Sequence, residues 1–319
     1  MQSIPTLEAI QKAAQRIQPF VHQTPVLSSQ TINKQIGASL FFKCENFQKT
    51  GSFKMRGASN LVMSLSVDAI KNGVATQSSG NHGQALARIA QLLGIPAYIV
   101  MPNNSARPKI QSVEAYQGKV IFCEPTIQAR EAAVEKVLQE TGAYYIPPYN
   151  DYGIIAGQGT VTLELINEIS DLDIIISPIG GGGLMSGTAL ATHYLLPKAR
   201  IIGVEPAAVD DALRSVKTGI LQENKTTNTI ADGLRASLRD KTFGVIREYV
   251  HEIYTVEEHE IIAAMRLIWE RMKITIEPSC AVPFAADLFG KIPDIQHKKI
   301  GIILTGGNVD LDKLPWATI

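Results

Sequence analysis

Apolar residues at Leu7, Ile10, Ala13, Ala14 and Ile17 fall on one stripe of a helix running from Thr6 to about Ile17, with Pro5 suited to its first turn. Downstream, short apolar runs alternate with stretches of helical period. The runs predict strands at 39–43, 73–77, 97–101, 119–123, 173–178, 200–205, 251–256 and 299–305. The stretches between them predict helices at 80–94, 108–116, 128–141, 156–170, 184–195, 257–273 and 282–291. Strands that alternate with helices favour an α/β architecture of parallel sheets covered on both faces. The runs around Ile174 and Ile303 are apolar throughout, as strands buried on both faces should be. Residues 71–149 hold three strand–helix units of their own. They are expected to close as a small domain inserted into a large one made of 1–70 and 150–319, with Pro147-Pro148 as the best punctuation for the second boundary.

Composition narrows the class. The 319 residues carry 30 Lys+Arg against 30 Asp+Glu, and this zero balance argues against nucleic acid as the main partner, because phosphate binding leaves a basic footprint. Hydrophobic residues make up 45% and charged ones 19%, the balance of a chain that folds on a core rather than staying disordered. Cys44, Cys123 and Cys280 are too sparse for a disulfide framework and include no CxxC pair, so a reducing, cytoplasmic setting is expected. No signal-like start, lipidation motif or apolar run of about 18 residues occurs, and no membrane association is expected.

Five motifs can carry chemistry. Ser177-Pro178-Ile179-Gly180-Gly181-Gly182-Gly183-Leu184 follows an apolar strand and opens a helix. Its glycines let backbone N–H groups converge at a helix N-terminus, a cup for phosphate that exceeds what a tight turn needs. A P-loop would continue with Lys and Ser or Thr, but Leu184-Met185 follow; the dinucleotide spacing also fails, at Met185 or Ser186. A smaller phosphorylated cofactor remains. In Ser52-Phe53-Lys54-Met55-Arg56-Gly57, a lysine set between apolar neighbours can be desolvated and made nucleophilic, which beside a phosphate cup suggests an imine with an aldehyde cofactor; a solvated surface lysine is the bland alternative. Ser78-Ser79-Gly80-Asn81-His82-Gly83 stands at a strand end entering a helix, either a carboxylate site or an N-cap with a turn. Thr305-Gly306-Gly307-Asn308-Val309-Asp310 ends another apolar strand, where Thr305 can present a hydroxyl to a heterocyclic nitrogen or close a turn. Glu205, with Asp210-Asp211 after it, offers oxygens for a hard divalent ion, although a solvated acidic loop is the commoner outcome of such spacing.

Together these motifs, with Thr24-Pro25-Val26-Leu27, Lys43-Cys44-Glu45-Asn46 and Ala156-Gly157-Gln158-Gly159, resemble the fold type II pyridoxal-phosphate enzymes, in particular the serine racemase and serine/threonine dehydratase family. The resemblance spans nearly the whole chain. It implies a tryptophan-synthase-β-like architecture of two domains, each a mostly parallel sheet covered by helices. It implies that Lys54 carries pyridoxal 5'-phosphate, that Phe53 packs on its ring, and that Asn81 binds its 3-hydroxyl oxygen. Gly180, Gly181, Gly182, Gly183 and Leu184 would cradle the phosphate, and Gly233 would lie beside the cofactor. Thr305 occupies the place usually held by Ser or Cys opposite the ring nitrogen.

Ser79 would stand on the cofactor face opposite Lys54. A proton donor on each face permits racemisation, whereas elimination needs only one. Ser78, Ser79, Asn81 and His82 would form the substrate loop, and Arg130 matches an arginine that can approach a second substrate carboxylate or remain in a surface ion pair. Glu205, the Val209 carbonyl and Asp211 match a Mg²⁺ or Mn²⁺ site, and Lys49, Thr50 and Tyr116 match part of a site where ATP acts as an effector in some relatives. The resemblance also suggests a homodimer. The expected activity is serine racemisation with serine dehydration to pyruvate and ammonia. The alternatives are a threonine or threo-3-hydroxyaspartate dehydratase and, in another class, a non-catalytic ligand-binding protein on the same fold.

Overall fold

The computed structural model describes residues 3–78, 80–105 and 107–316. Its strands are β1 (Val26–Leu27), β2 (Ser39–Cys44), β3 (Val74–Gln77), β4 (Ala97–Pro102), β5 (Lys119–Cys123), β6 (Tyr144–Tyr145), β7 (Ile174–Pro178), β8 (Arg200–Pro206), β9 (Glu252–Val256) and β10 (Lys299–Leu304). They form two sheets, one in the order β1-β2-β10-β7-β8-β9 and one in the order β5-β4-β3-β6. Only β1 runs antiparallel to its neighbour; the remaining pairs are parallel. β7 is buried at every position, as its unbroken apolar run requires. Ligands of open parallel sheets gather at the strands' carboxyl ends. There the chain places the glycine loop after β7, Thr305 after β10, Glu205 near the end of β8 and Ser78 after β3.

Several helices begin where their caps dictate rather than where apolar period begins. Thr6 caps the Leu7–Ile17 helix, its hydroxyl accepting from the Ala9 N–H at 3.3 Å, so Pro5 lies outside the helix instead of in its first turn. Asp151 starts the Tyr152–Glu168 helix four residues before the predicted one, accepting from the Gly153 N–H at 2.7 Å. Pro278 opens the helix predicted at 282–291, which in fact runs Pro278–Leu288 behind an N-cap at Glu277.

The Lys54–Ser64 helix has no counterpart among the predicted elements. It is buried on all sides from Met55 to Val62, so it lacks the polar face that makes a helix legible. Arg56 within it is fully buried and reaches Glu45 through Nε and Nη2 at 2.8 Å each and Glu164 through Nη1 at 2.6 Å. Lys43 joins the cluster, donating to Glu164 at 2.6 Å and to the Thr24 carbonyl at 2.7 Å. Each buried charge thus meets opposite charge and hydrogen bonds, the condition under which burial is tolerated. The cluster fastens the helix that begins at Lys54 to β2 and to the Tyr152–Glu168 helix.

Candidate active site

Backbone bonds stitch the lysine segment to the end of β10. The Phe53 N–H donates to the Thr305 carbonyl at 3.0 Å, the Gly307 N–H donates to the Gly51 carbonyl at 2.9 Å, and Ser52 pairs with Gly306. Lys54 is the first residue of its helix. Its Nζ donates to the Pro148 carbonyl at 2.8 Å and lies 5.2 Å from the centroid of the Phe53 ring. Burial pulls its pKa down to about 8, against the opposing influence of the Glu277 carboxylate. A substantial neutral, nucleophilic fraction follows near neutral pH.

The glycine loop meets this lysine through the residue after Pro148. A Cβ on Gly181 would stand 2.5 Å from the Tyr149 ring, and one on Gly183 would stand 2.9 Å from Tyr149 Cβ. Gly182, with φ at +86°, takes a left-handed conformation that side chains disfavour, and Gly180 is pressed against Leu234. The N–H groups of Gly180, Gly181, Gly182, Gly183 and Leu184 have no hydrogen-bond partner among the described residues. That orphaned set at a helix N-terminus is what an anionic phosphate satisfies. Gly233, beside Leu234, donates its N–H to Ser279 Oγ at 2.9 Å.

The Asn81–Leu93 helix brings the third motif to the same place. Asn308 Nδ2 donates to Asn81 Oδ1 at 2.9 Å and to the Thr50 carbonyl at 2.8 Å, so the Asn81 amide is fixed with Nδ2 toward Glu277 Oε1 at 2.8 Å. His82 is buried, with Nε2 3.2 Å from the Ile146 carbonyl. Burial, with the nearby Lys54 charge, holds it down to about 3, so it is neutral at working pH. Ser78 Oγ accepts from the Gly80 N–H at 3.3 Å. Ser79 lies outside the described residues. Thr305 Oγ1 is buried and has no protein partner.

Sequence reasoning missed three contributors. Glu277 is buried, and burial raises its carboxyl to about 7, offset in part by Lys109. The helix start beside it was legible in Pro278, but Glu277 makes no side-chain capping bond and carries no motif of its own. Lys109, in the Arg107–Ala115 helix, forms an ion pair with Asp232 and carries no motif. Tyr149 sat beside the domain punctuation and read as loop.

Arg130 does not join the cluster. Its Nε lies 3.4 Å from the Thr126 carbonyl at the start of its own helix, although its charge is felt at Tyr149. Lys49 Nζ reaches the Pro19 carbonyl at 3.4 Å, and the Tyr116 ring lies under Arg88 at 5.5 Å. Thr50 Oγ1 is buried without a partner.

The acidic pair lies at the end of β8. Glu205 accepts from the Ala212 and Leu213 N–H groups at 3.1 and 2.9 Å, while Asp211 Oδ2 accepts from the Leu238 N–H at 2.8 Å and its Oδ1 is buried without a partner. Burial, then the neighbouring Asp211, raises Glu205 well above the carboxylate range; burial raises Asp211 to about 6. Val209 closes the intervening turn. Two carboxylates and a carbonyl are a donor set for a hard cation, although no group of three or more His, Cys, Asp or Glu with metal-site geometry occurs among the described residues.

A desolvated lysine at a helix start, a glycine loop with free N–H groups and a buried threonine hydroxyl, all at the carboxyl ends of a parallel sheet, form the arrangement expected of a pyridoxal-phosphate enzyme. The family model for pyridoxal-phosphate-dependent enzymes matches residues 17–306, and the chain belongs to that family. It is 50% identical to a serine racemase of Arabidopsis thaliana, over 96% of this chain and 94% of the relative. It is 47% identical to the beta-hydroxyaspartate dehydratase of Paracoccus denitrificans, over 98% and 99%. The solved maize serine racemase superposes with a TM-score of 0.95 at 45% identity, covering 97% and 95% of the two chains. The chain is thus a pyridoxal-phosphate-dependent enzyme with the two-sheet α/β fold of type II, and the non-catalytic alternative is set aside. No helix of the described residues is long and apolar enough to cross a membrane.

Proposed function

We propose that this enzyme racemises serine and also dehydrates it to pyruvate and ammonia. The carrying observation is the desolvated Lys54 amine, bonded to the Pro148 carbonyl next to the residue that roofs the glycine loop. The identities to a serine racemase and a β-hydroxyaspartate dehydratase support the substrate class.

Pyridoxal phosphate, when bound, supplies the electron sink that acidifies the substrate Cα–H. Lys54 would hold the coenzyme and, once released from it, would accept the Cα proton at Nζ. Gly180, Gly181, Gly182, Gly183 and Leu184 would hold the phosphate through their free N–H groups, with Gly233 backing that loop. Thr305 Oγ1 would serve the ring nitrogen, and a hydroxyl there, unlike a carboxylate, would make the ring a weaker sink. Phe53 would pack on the ring and Asn81 would serve the 3-hydroxyl oxygen. Ser78, Asn81 and His82 would bind the substrate carboxylate, and Ser79 would be the second proton donor.

The same reading carries several finer proposals. Glu205, Asp211 and the Val209 carbonyl would hold Mg²⁺ or Mn²⁺, supported by two buried neighbouring acids whose ionised forms a cation would stabilise. The working form is a cytoplasmic homodimer, with ATP as an effector near Lys49, Thr50 and Tyr116. Residues 71–149 form the small domain and 1–70 with 150–319 the large one, supported by the division of strands between the two sheets.

The test is incubation of the purified holoenzyme with L-serine, D-serine, L-threonine and threo-3-hydroxyaspartate, with enantiomers and keto acids quantified together. Serine interconversion plus pyruvate is expected. Keto acid from hydroxyaspartate alone would replace the reading with a dehydratase, the second reading favoured by the Paracoccus relative. Ser79→Ala should suppress racemisation and leave L-serine elimination measurable. Chelation should lower activity; indifference to chelator removes the metal.

A further inference from the structure

Lys109 and Asp232 come from different sheets. The Arg107–Ala115 helix lies between β4 and β5, whereas the Asp232–Leu234 turn lies between β8 and β9. Their side chains form an ion pair, with 11% of the lysine side chain and 38% of the aspartate side chain exposed. Each partner touches a different wall of the proposed site. The Lys109 chain packs on Gly80, where a Cβ would stand 3.3 Å from both Cδ and Nζ. Gly80 immediately precedes the Asn81–Leu93 helix. Asp232 is followed by Gly233 and Leu234, against which Gly180 of the phosphate cup is pressed at 2.8 Å from a virtual Cβ. Burial disfavours the Lys109 cation, but the charges of Asp232 and Glu277 together with the hydrogen bond to Asp232 outweigh it and raise its pKa. Arg235 is the opposing charge nearby.

We propose that Lys109 and Asp232 are positioning residues whose ion pair holds the start of the Asn81–Leu93 helix against the phosphate cup, and so sets the affinity for the substrate carboxylate. Neither touches the reacting atoms; both act through the loops beside them. The pair adds a contact between elements of the two sheets to the proposed amino-acid site and rests on that reading for its kinetic arm alone. A buried ion pair broken from one side leaves an uncompensated charge, so the two residues must behave as a unit.

The holoenzyme is assayed with L-serine as K109M, D232N, K109R and the double K109M/D232N. Each of K109M and D232N should raise KM roughly tenfold with kcat within about threefold, K109R should restore most of the loss, and the double should be no worse than the worse single. D232N, at the more exposed partner, serves if K109M does not fold. Additive losses, or a fall in kcat with KM unchanged, overturn the proposal. Hydrogen exchange provides the second arm, read on apo and holo protein without turnover. Amides of residues 80–83 should exchange faster in both single variants and to the same extent; unchanged exchange overturns the proposal. Faster exchange in a protein that turns over none of the amino acids would leave the latch standing and the functional reading refuted.

Discussion

Replacing Glu277 by Gln isolates the electrostatics of Lys54. Burial lowers the amine to about 8, and the Glu277 carboxylate is the influence that opposes it. Relative to the ordinary 10.5, that lowering raises the neutral fraction at pH 7 from roughly 0.03% to roughly a tenth, about 300-fold. Only the neutral amine attacks an aldehyde, so the rate at which apoprotein takes up pyridoxal phosphate measures this fraction. The assay follows coenzyme uptake by stopped-flow absorbance from pH 5.5 to 10 at one coenzyme concentration. For the natural chain the logarithm of the rate should climb with unit slope and flatten near pH 8. Glu277 itself is raised to about 7, so its negative charge is present chiefly above that pH, where Lys54 titrates. E277Q should therefore match the natural chain below about pH 6 and flatten at a lower pH, gaining about tenfold for each pKa unit that the carboxylate had contributed. A rate that climbs straight through pH 9, or an E277Q curve displaced upward in pH, would refute the desolvated amine.

Thr305→Val keeps the shape of the side chain and removes a buried hydroxyl that has no protein partner; the apoprotein should gain about 1–3 kcal/mol while coenzyme binding weakens, both read by thermal melts with and without coenzyme. Gly181→Ala brings a methyl to 2.5 Å from the Tyr149 ring and should cost coenzyme affinity about tenfold or more, measured by equilibrium dialysis; unchanged affinity would mean that the roof is loose. Asp287 is buried with both carboxylate oxygens unpartnered, and burial raises it from 3.8 to about 8. Its native form binds the extra proton between those values, so its contribution to stability falls as pH rises through that window. D287N should consequently raise the melting temperature far more at pH 9 than at pH 4, and parallel melting curves would contradict the burial.

The strands and the glycine motifs were legible because each announces itself locally. Apolar runs such as 299–305 and 173–178 end in glycines, and each run is a strand followed by a glycine-rich loop at the sheet's carboxyl edge. Elements that were illegible lack a local signature. Lys54–Ser64 is a helix buried on all sides, so its pattern has no polar period, and the Arg56 ion pairs with Glu45 and Glu164 that fasten it come from distant parts of the chain. β1 and β6 have two residues each, too few to show alternation. Lys109 and Asp232 lie 123 positions apart, and no spacing rule joins residues that distant elements bring together. Asn308 was visible in its motif, but its task of orienting Asn81 appears only when the two helix-and-strand ends are brought together.

Borohydride reduction of the coenzyme-loaded protein, followed by peptide mass mapping, tests the central claim most directly. A single phosphopyridoxyl group on Lys54, within Ser52-Phe53-Lys54-Met55-Arg56, is the expected result. A protein that retains no coenzyme, or a label on Lys43, Lys109 or any other lysine with Lys54 unmodified, would contradict it.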